Sequence, residues 1–371
     1  MKIVTVFHPT TFCNLHCKYC WAPNKDEKVK LPLSIVEKTL RQIYGNPKLE
    51  KCDFLWLTGE PLVLGLEYFK SAVSLCRNLG KSHLTPDLIM QTNGTLIDDE
   101  WAQFFAKNDF VVGVSIDGPK HIHDGQRVGK GGAGSFDATL RGIELLIKHG
   151  VKGSALCVIT KATLETSPDE LFFFFHDRKL AWSYLIEARI GENVSSDQAL
   201  SKSDLPRLEV FLGRLMELWG KYPSTYIRDF DQLSRRLFGD VGLKSDYNNL
   251  GCLDILNVTA EGEFFWGNPE LMSATEAELK DIRFSLSTQD VWGSRETPSF
   301  MDVEASIHRG IAKCHKECDY FAGCQGGNPA HKFYQQGRFD VSDHLTCQLN
   351  DQVIPHLLLQ KMESAFQPAS V

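Results

Sequence analysis

The sequence predicts an α/β fold: a parallel sheet wound with helices over the first half of the chain, then a smaller cysteine-rich unit. Three observations predict it. Up to about residue 190, six short apolar runs alternate with segments whose apolar residues recur at helical spacing, and such repetition implies parallel strands joined by helical crossovers. At 371 residues, 43% hydrophobic and 23% charged, the chain is long enough for about two domains with a sizeable core. Beyond residue 250 the pattern changes to short strands, a polar irregular stretch and a run of cysteines.

In chain order, Ile3–Phe7 reads as the first strand, and Leu33, Val36, Leu40 and Ile43 mark one face of the next helix. Asp53–Leu57 is the second strand, followed by a helix carrying Leu66, Phe69, Val73 and Cys76. Asp87–Gln91 is the third, with a helix over Asp98–Lys107. Phe110–Ile116 and Ser154–Ile159 are the fourth and fifth, with helices over Phe136–His149 and Asp169–Arg178, and Trp182–Glu187 is the sixth. These elements make a unit over residues 1–190. A helical linker over 191–250 follows, with Ser203 expected as N-cap and Leu205, Leu208, Leu212, Leu215 and Trp219 on one core-facing stripe. The unit over 251–350 opens with strands Asp254–Thr259 and Glu263–Trp266 around an Ala260-Glu261-Gly262 turn, and a terminal helix and tail fill 351–371.

A formal net charge of −7 argues against a nucleic-acid binder that works by neutralising phosphates. No eighteen-residue apolar stretch exists, so no membrane span is expected. Eleven cysteines and no signal-peptide pattern point to a reducing compartment, the cytoplasm. Cys76 and Cys157 sit within apolar patterns and read as core. Cys13, Cys17 and Cys20 cluster directly after the first strand, and Cys314, Cys318, Cys324 and Cys347 cluster near the end.

In a parallel α/β sheet, functional loops lie at the carboxyl ends of the strands. The first such loop holds C-x3-C-x2-C with Tyr19 before the last cysteine. Three thiolates can hold three irons of a [4Fe–4S] cluster and leave the fourth iron open; a zinc knuckle is the alternative, although no second close pair follows. This C-x3-C-x-aromatic-C signature resembles that of the radical S-adenosylmethionine (radical SAM) enzymes. The resemblance implies a partial (β/α)6 barrel, and it extends to other strand ends. Thr58-Gly59-Glu60-Pro61 resembles the family's GGEP motif, whose glycine lets backbone approach SAM and whose carboxylate suits its ammonium. Thr92-Asn93-Gly94 resembles the TNG turn. Ser115-Ile116-Asp117-Gly118-Pro119, with Arg127 twelve residues after Ser115, resembles the segment whose serine and arginine contact SAM in peptide and protein maturases. Leu185 matches an apolar position near the adenine. His121 and His123 receive no role. The implied chemistry is reductive cleavage of iron-chelated SAM to a 5′-deoxyadenosyl radical, which takes hydrogen from a substrate.

The C-terminal cysteines resemble a SPASM (twitch-like) domain, which in full has seven cysteines and two auxiliary clusters. Here Gly267 and Asn328 stand at two positions expected to be cysteine. The resemblance therefore implies loss or alteration of the proximal cluster, near Cys252, and a distal [4Fe–4S] cluster on Cys314, Cys318, Cys324 and Cys347; structural zinc is again the alternative. Anaerobic sulfatase maturases share much of this pattern, but Asn268 stands where they have an aspartate base. The segment Gly326-Gly327-Asn328-Pro329 through Gly337-Arg338-Phe339-Asp340 resembles maturases that form cyclophanes in ribosomal peptides. The expected partners are a ribosomally made precursor peptide and an electron donor such as flavodoxin or ferredoxin. No recognition domain is expected ahead of the first strand. Glu187, Asp229 and Asp231 are acidic candidates for a general base without an assignment. A zinc-stabilised binding protein without radical chemistry is the reading from a different class.

Overall fold

The computed structural model describes residues 1–80, 84–187, 196–238, 253–274, 279 and 282–366. Cys252, the start of the polar stretch from Gly191 and the end of the linker over 239–250 lie outside the described residues.

All six expected strands form: β1 (Lys2–Phe7), β2 (Lys51–Trp56), β3 (Leu88–Thr92), β4 (Phe110–Ser115), β5 (Lys152–Ile159) and β6 (Trp182–Ile186). They pair in parallel in simple sequence order, β1 beside β2 through to β6. A doubly wound sheet would reverse its order at a switch point. Among these six strands the order never reverses, so successive right-handed crossovers keep their helices on one side and the other side curls inward as a partial barrel. The crossovers include α1 (Leu33–Gly45), α2 (Leu66–Leu79), α3 (Asp99–Lys107), α4 (Lys120–Gln126), α5 (Phe136–Lys148), the single turn α6 (Lys161–Leu164) and α7 (Pro168–Asp177). Phe7, Phe54, Trp56 and Phe110 are almost fully buried under this helical layer, with ring centroids about 6 Å apart, and their burial supplies much of the hydrophobic driving force there. Cys76 and Cys157 are buried core residues, as their spacing predicts.

The sheet continues past residue 251. β7 (Ile255–Val258) pairs in parallel with β1, so the C-terminal unit begins inside the same sheet. β8 (Glu263–Trp266) returns antiparallel through the predicted turn, where Gly262 takes φ +82°, and β9 (Phe284–Ser285) completes nine strands. The sequence pattern shows the hairpin but not its neighbour, because strand pairing across 250 residues is a tertiary choice.

Helix α8 (Leu205–Lys221) buries Leu208, Leu212 and Leu215 as its stripe predicts and packs on α7. Its entry differs: Ser201, not Ser203, forms a reciprocal cap with Asp204 around a 3-10 turn. Helices that the sequence pattern does not show include α4, α9 (Arg228–Phe238) and α10 (Pro298–Glu317), the last of which carries Cys314 in its final turn. The closing helix α11 (Val353–Phe366) is entered through a π-turn at Gln348–Gln352.

Candidate active site

The carboxyl ends of the strands face a cavity of about 1000 Å³. The loop after β1 presents Cys13, Cys17, Tyr19 and Cys20 to it. That loop is stitched down by backbone bonds from Cys13 to the Lys25 carbonyl, from His16 to Val128 and from Lys18 to Gln126, at 2.7–3.0 Å. Burial pushes the Cys13 thiol up to about 12, with help from the nearby Glu60 charge, and the Cys17 thiol up to about 11, where Arg127 partly offsets it. Left alone, these thiols therefore stay protonated.

Thr58 and Gly59 line the cavity; Glu60 does not. Its carboxylate, expected to meet a ligand ammonium, is held by donors of the protein. Glu60 is fully buried and accepts from the Leu62 N–H (3.0 Å), the Thr92 hydroxyl (2.7 Å) and the Asn93 N–H (2.7 Å). It thus clamps the loop after β2 to the end of β3. Pro61 is likewise buried, as the first residue of a 3-10 turn. Asn93, placed by this clamp, lines the cavity and reaches Asn14 (2.8 Å) and the Cys13 sulfur (3.9 Å).

Asp117 also lies behind the wall. It is fully buried and accepts from Tyr19 (2.5 Å), from two nitrogens of Arg127 (3.0 and 3.2 Å) and from the Val158 N–H (3.0 Å). Asp117, expected to contact the cofactor, is enclosed by these partners. Arg127 spends two nitrogens on Asp117 and turns Nη1 toward the Cys17 sulfur at 4.0 Å. Ser115, whose hydroxyl accepts from Gln91 (2.9 Å), and half-exposed Leu185 line the cavity, as do Tyr19 and Arg127. His123 is buried, its ring bonded to the Asp117 N–H and to Ser135, which is structural service.

The far end of the cavity is formed by the segment around Cys324. Cys314, Cys318 and Cys347 all lie near enough to couple electrostatically with Cys324. Burial pushes the Cys324 thiol up to about 11 and Cys347 higher still. Lys332 donates to the Cys314 sulfur at 3.4 Å and Gln352 to the Cys347 sulfur at 3.5 Å. Among the described residues no three His, Cys, Asp or Glu side chains are close enough to share a single metal ion.

Against known families, residues 7–170 match the radical SAM superfamily model. A protein of Synechocystis, sll1766, without a described activity, is 30% identical over 97% of this chain and 92% of its own. The chain belongs to the radical SAM superfamily. Other relatives include a cysteine-type anaerobic sulfatase-maturating enzyme of Clostridium novyi (26% identical, covering 85% of this chain and 84% of that one). A serine-type counterpart of Bacteroides thetaiotaomicron is 27% identical over 96% and 90%. In fold, the chain is similar to the AdoMet-bound anSMEcpe (TM-score 0.79, 23% identical, 98% of each chain covered). It is also similar to Streptococcus suis SuiB bound to its precursor peptide SuiA (TM-score 0.66, 16% identical, 94% of this chain and 76% of that one).

As a radical SAM protein, the chain takes SAM and a [4Fe–4S] cluster. The residues present fit that cluster: three soft thiol donors on one loop, with Leu15 N–H (3.4 Å) and Asn93 aimed at Cys13 and Arg127 at Cys17, the kind of N–H···S surroundings that tune such centres. Family membership weighs against a zinc-stabilised binding protein. No helix among the described residues is long and apolar enough to cross a membrane.

Sequence reasoning missed several wall and support residues of this radical SAM site. His8 bridges Thr58 (2.7 Å) and Asn257 (3.0 Å), tying the loop after β2 to β7. Thr58 itself takes φ +85°, a strained value for a non-glycine residue held by that network. Trp21, Glu270 and Asp351 also line the cavity, beside Asn268, which the sequence had already singled out. Of the three, only Trp21 carries a signal, being adjacent to Cys20.

Proposed function

We propose that this chain is a peptide maturase that cross-links an aromatic ring carbon to a side-chain carbon, usually Cβ, within a ribosomally made precursor peptide, giving a cyclophane. What supports the reading is one cavity, about 1000 Å³, reaching from Cys13, Cys17 and Cys20 to Cys324, with the carboxamides of Asn268 and Asn328 on its wall. A cavity of this size holds more than a small cofactor and leaves room for peptide side chains beside SAM.

In this reading Cys13, Cys17 and Cys20 hold the SAM-cleaving cluster. Tyr19, Gly59, Asn93, Ser115, Arg127 and Leu185 supply the wall against which SAM is oriented. Glu60, Pro61 and Asp117 act from behind, fixing those side chains so that binding costs little reordering. Cys314, Cys318, Cys324 and Cys347 hold an auxiliary cluster. When bound, SAM and its cluster supply homolytic C–S cleavage and hydrogen-atom abstraction; the protein positions the peptide and excludes water. A flavodoxin or ferredoxin serves as electron donor.

The second reading is formylglycine formation on a sulfatase, favoured by the relatives named as sulfatase-maturating enzymes. Against it, Asn268 is a carboxamide where those enzymes are expected to have an aspartate base. The two are separated by mass spectrometry of peptides treated with the reconstituted protein, reductant and SAM. A precursor peptide that loses two hydrogens per site, with fragmentation blocked across a few residues, supports the cross-link. An unmodified precursor beside a converted sulfatase cysteine overturns it.

A further inference from the structure

The wall between the two cysteine groups carries a carboxylate with no task so far. The 3-10 turn Pro269–Ser273 follows β8 and is fixed from three sides. Arg283 donates to the carbonyls of Leu271 (3.1 Å), Met272 (2.6 Å) and Ala274 (2.9 Å). The Ser273 hydroxyl donates to the carbonyl of Trp21, next to Cys20, at 2.8 Å. The Tyr334 hydroxyl donates to the Glu270 carbonyl at 2.7 Å. Glu270 is thereby held on the cavity wall by groups from both cysteine-bearing segments.

Its carboxylate lies beside Asn328, and its Oε2 is buried without a hydrogen-bond partner. Two more buried polar atoms without partners, Asn268 Oδ1 and Tyr184 Oη, belong to residues lining the same cavity. Leaving such a group unpaired is unfavourable. Three of them around one cavity suit a ligand that brings its own donors and acceptors, as a peptide does. Two other acids lining the cavity differ. Asp229 accepts from the Tyr184 N–H at 3.0 Å beside Arg228, and Asp351 faces Arg236 and Lys332. Burial also pushes the Glu270 carboxyl above the usual range, which favours proton uptake.

We propose that Glu270 is the acid–base group of the peptide subsite, taking the proton that a substrate side chain loses on two-electron oxidation. The step rests on the cross-link reading and balances as follows. One C–H bond of the side chain and one aryl C–H bond break, and one C–C bond forms. A hydrogen atom leaves with the adenosyl group of SAM, an electron leaves to an acceptor of the iron–sulfur class, and the ring proton goes to Oε2 of Glu270. For formylglycine formation the count is the same, with a thiol or hydroxyl proton in place of the ring proton.

The test is Glu270→Gln, which keeps the volume but cannot take the proton. Product and 5′-deoxyadenosine are measured in one reaction, with iron content and the affinity of a fluorescently labelled peptide measured without SAM. Product per 5′-deoxyadenosine is expected to fall at least tenfold while iron content and peptide affinity stay within threefold, and Glu270→Asp is expected to regain part of the ratio. A ratio within twofold of wild type overturns the assignment, whether or not total turnover drops, and so does a loss traced to missing iron or lost peptide affinity. If the wild type converts a sulfatase peptide and leaves the precursor unmodified, the cross-link reading fails and the same ratio on the sulfatase peptide decides Glu270. Activity on neither peptide overturns both.

Discussion

Arg127 grips Asp117 through two hydrogen bonds, Nε to Oδ2 at 3.0 Å and Nη2 to Oδ1 at 3.2 Å, in a place almost closed to water. The Tyr19 hydroxyl shares the same carboxylate, and the Arg127 guanidinium lies 5.2 Å from the centre of the Tyr19 ring. The loop after β4 and the cysteine loop are thus fixed to one buried charge. Breaking a buried pair from one side costs about 3–5 kcal/mol. Asp117→Ala is expected to lose about that much in denaturant unfolding and to lose SAM cleavage with it.

The two cysteine groups are predicted to separate in function. Cys17→Ala removes one of the three proposed cluster ligands and is expected to abolish 5′-deoxyadenosine formation. Cys324→Ala acts at the far end of the cavity and is expected to retain SAM cleavage while losing modified peptide. Quantifying both products by chromatography in each variant checks the division; normal SAM cleavage by the Cys17 variant would contradict the cluster assignment.

Gly59 takes φ +59°, and a β-carbon there would meet the Phe12 carbonyl oxygen at 2.5 Å and that of Thr10 at 2.7 Å. The neighbouring Glu60 N–H donates to the same Phe12 carbonyl at 2.9 Å, so the cysteine loop cannot simply move away. Gly59→Ala is expected to weaken SAM binding by at least tenfold, as read by equilibrium dialysis.

Glu60 gives a pH signature. Burial pushes its carboxyl up to about 7 from 4.5, against the pull of its three donors. The folded protein therefore binds the proton more tightly than the unfolded chain does. That contribution is fully present below pH 4.5 and is lost as pH rises through 7. The stability difference between wild type and Glu60→Gln should shift against the wild type by about 3 kcal/mol across this window, measurable by urea unfolding at several pH values.

Much of the barrel was legible because its strands are apolar on both faces and its helices keep a regular apolar stripe. The cysteine loop and the strand-end motifs were legible because backbone approach and thiol ligation demand particular residue types at fixed spacing. What side chains do with one another was not. Glu60 and Asp117 look like ligand contacts in sequence, yet their partners, Thr92, Asn93, Tyr19 and Arg127, arrive from other loops and turn both inward. Helices α9 and α10 were hidden by their polarity: α9 buries Phe230 and Leu233 amid charged residues, and α10 buries little beyond Phe300, Ile307, Gly310 and Cys314. Glu270 carries no motif, and only the clamp by Arg283, Trp21 and Tyr334 makes it part of the site.

Radical modification of a peptide by this chain is tested by incubating the anaerobically reconstituted protein with reductant, SAM and a precursor peptide containing an aromatic core. Chromatography for 5′-deoxyadenosine and tandem mass spectrometry of the peptide supply the readout. The predicted result is 5′-deoxyadenosine together with a peptide two hydrogens lighter per site and resistant to fragmentation across the joined residues. A protein that binds zinc, carries no iron and sulfide, and releases no 5′-deoxyadenosine would contradict it.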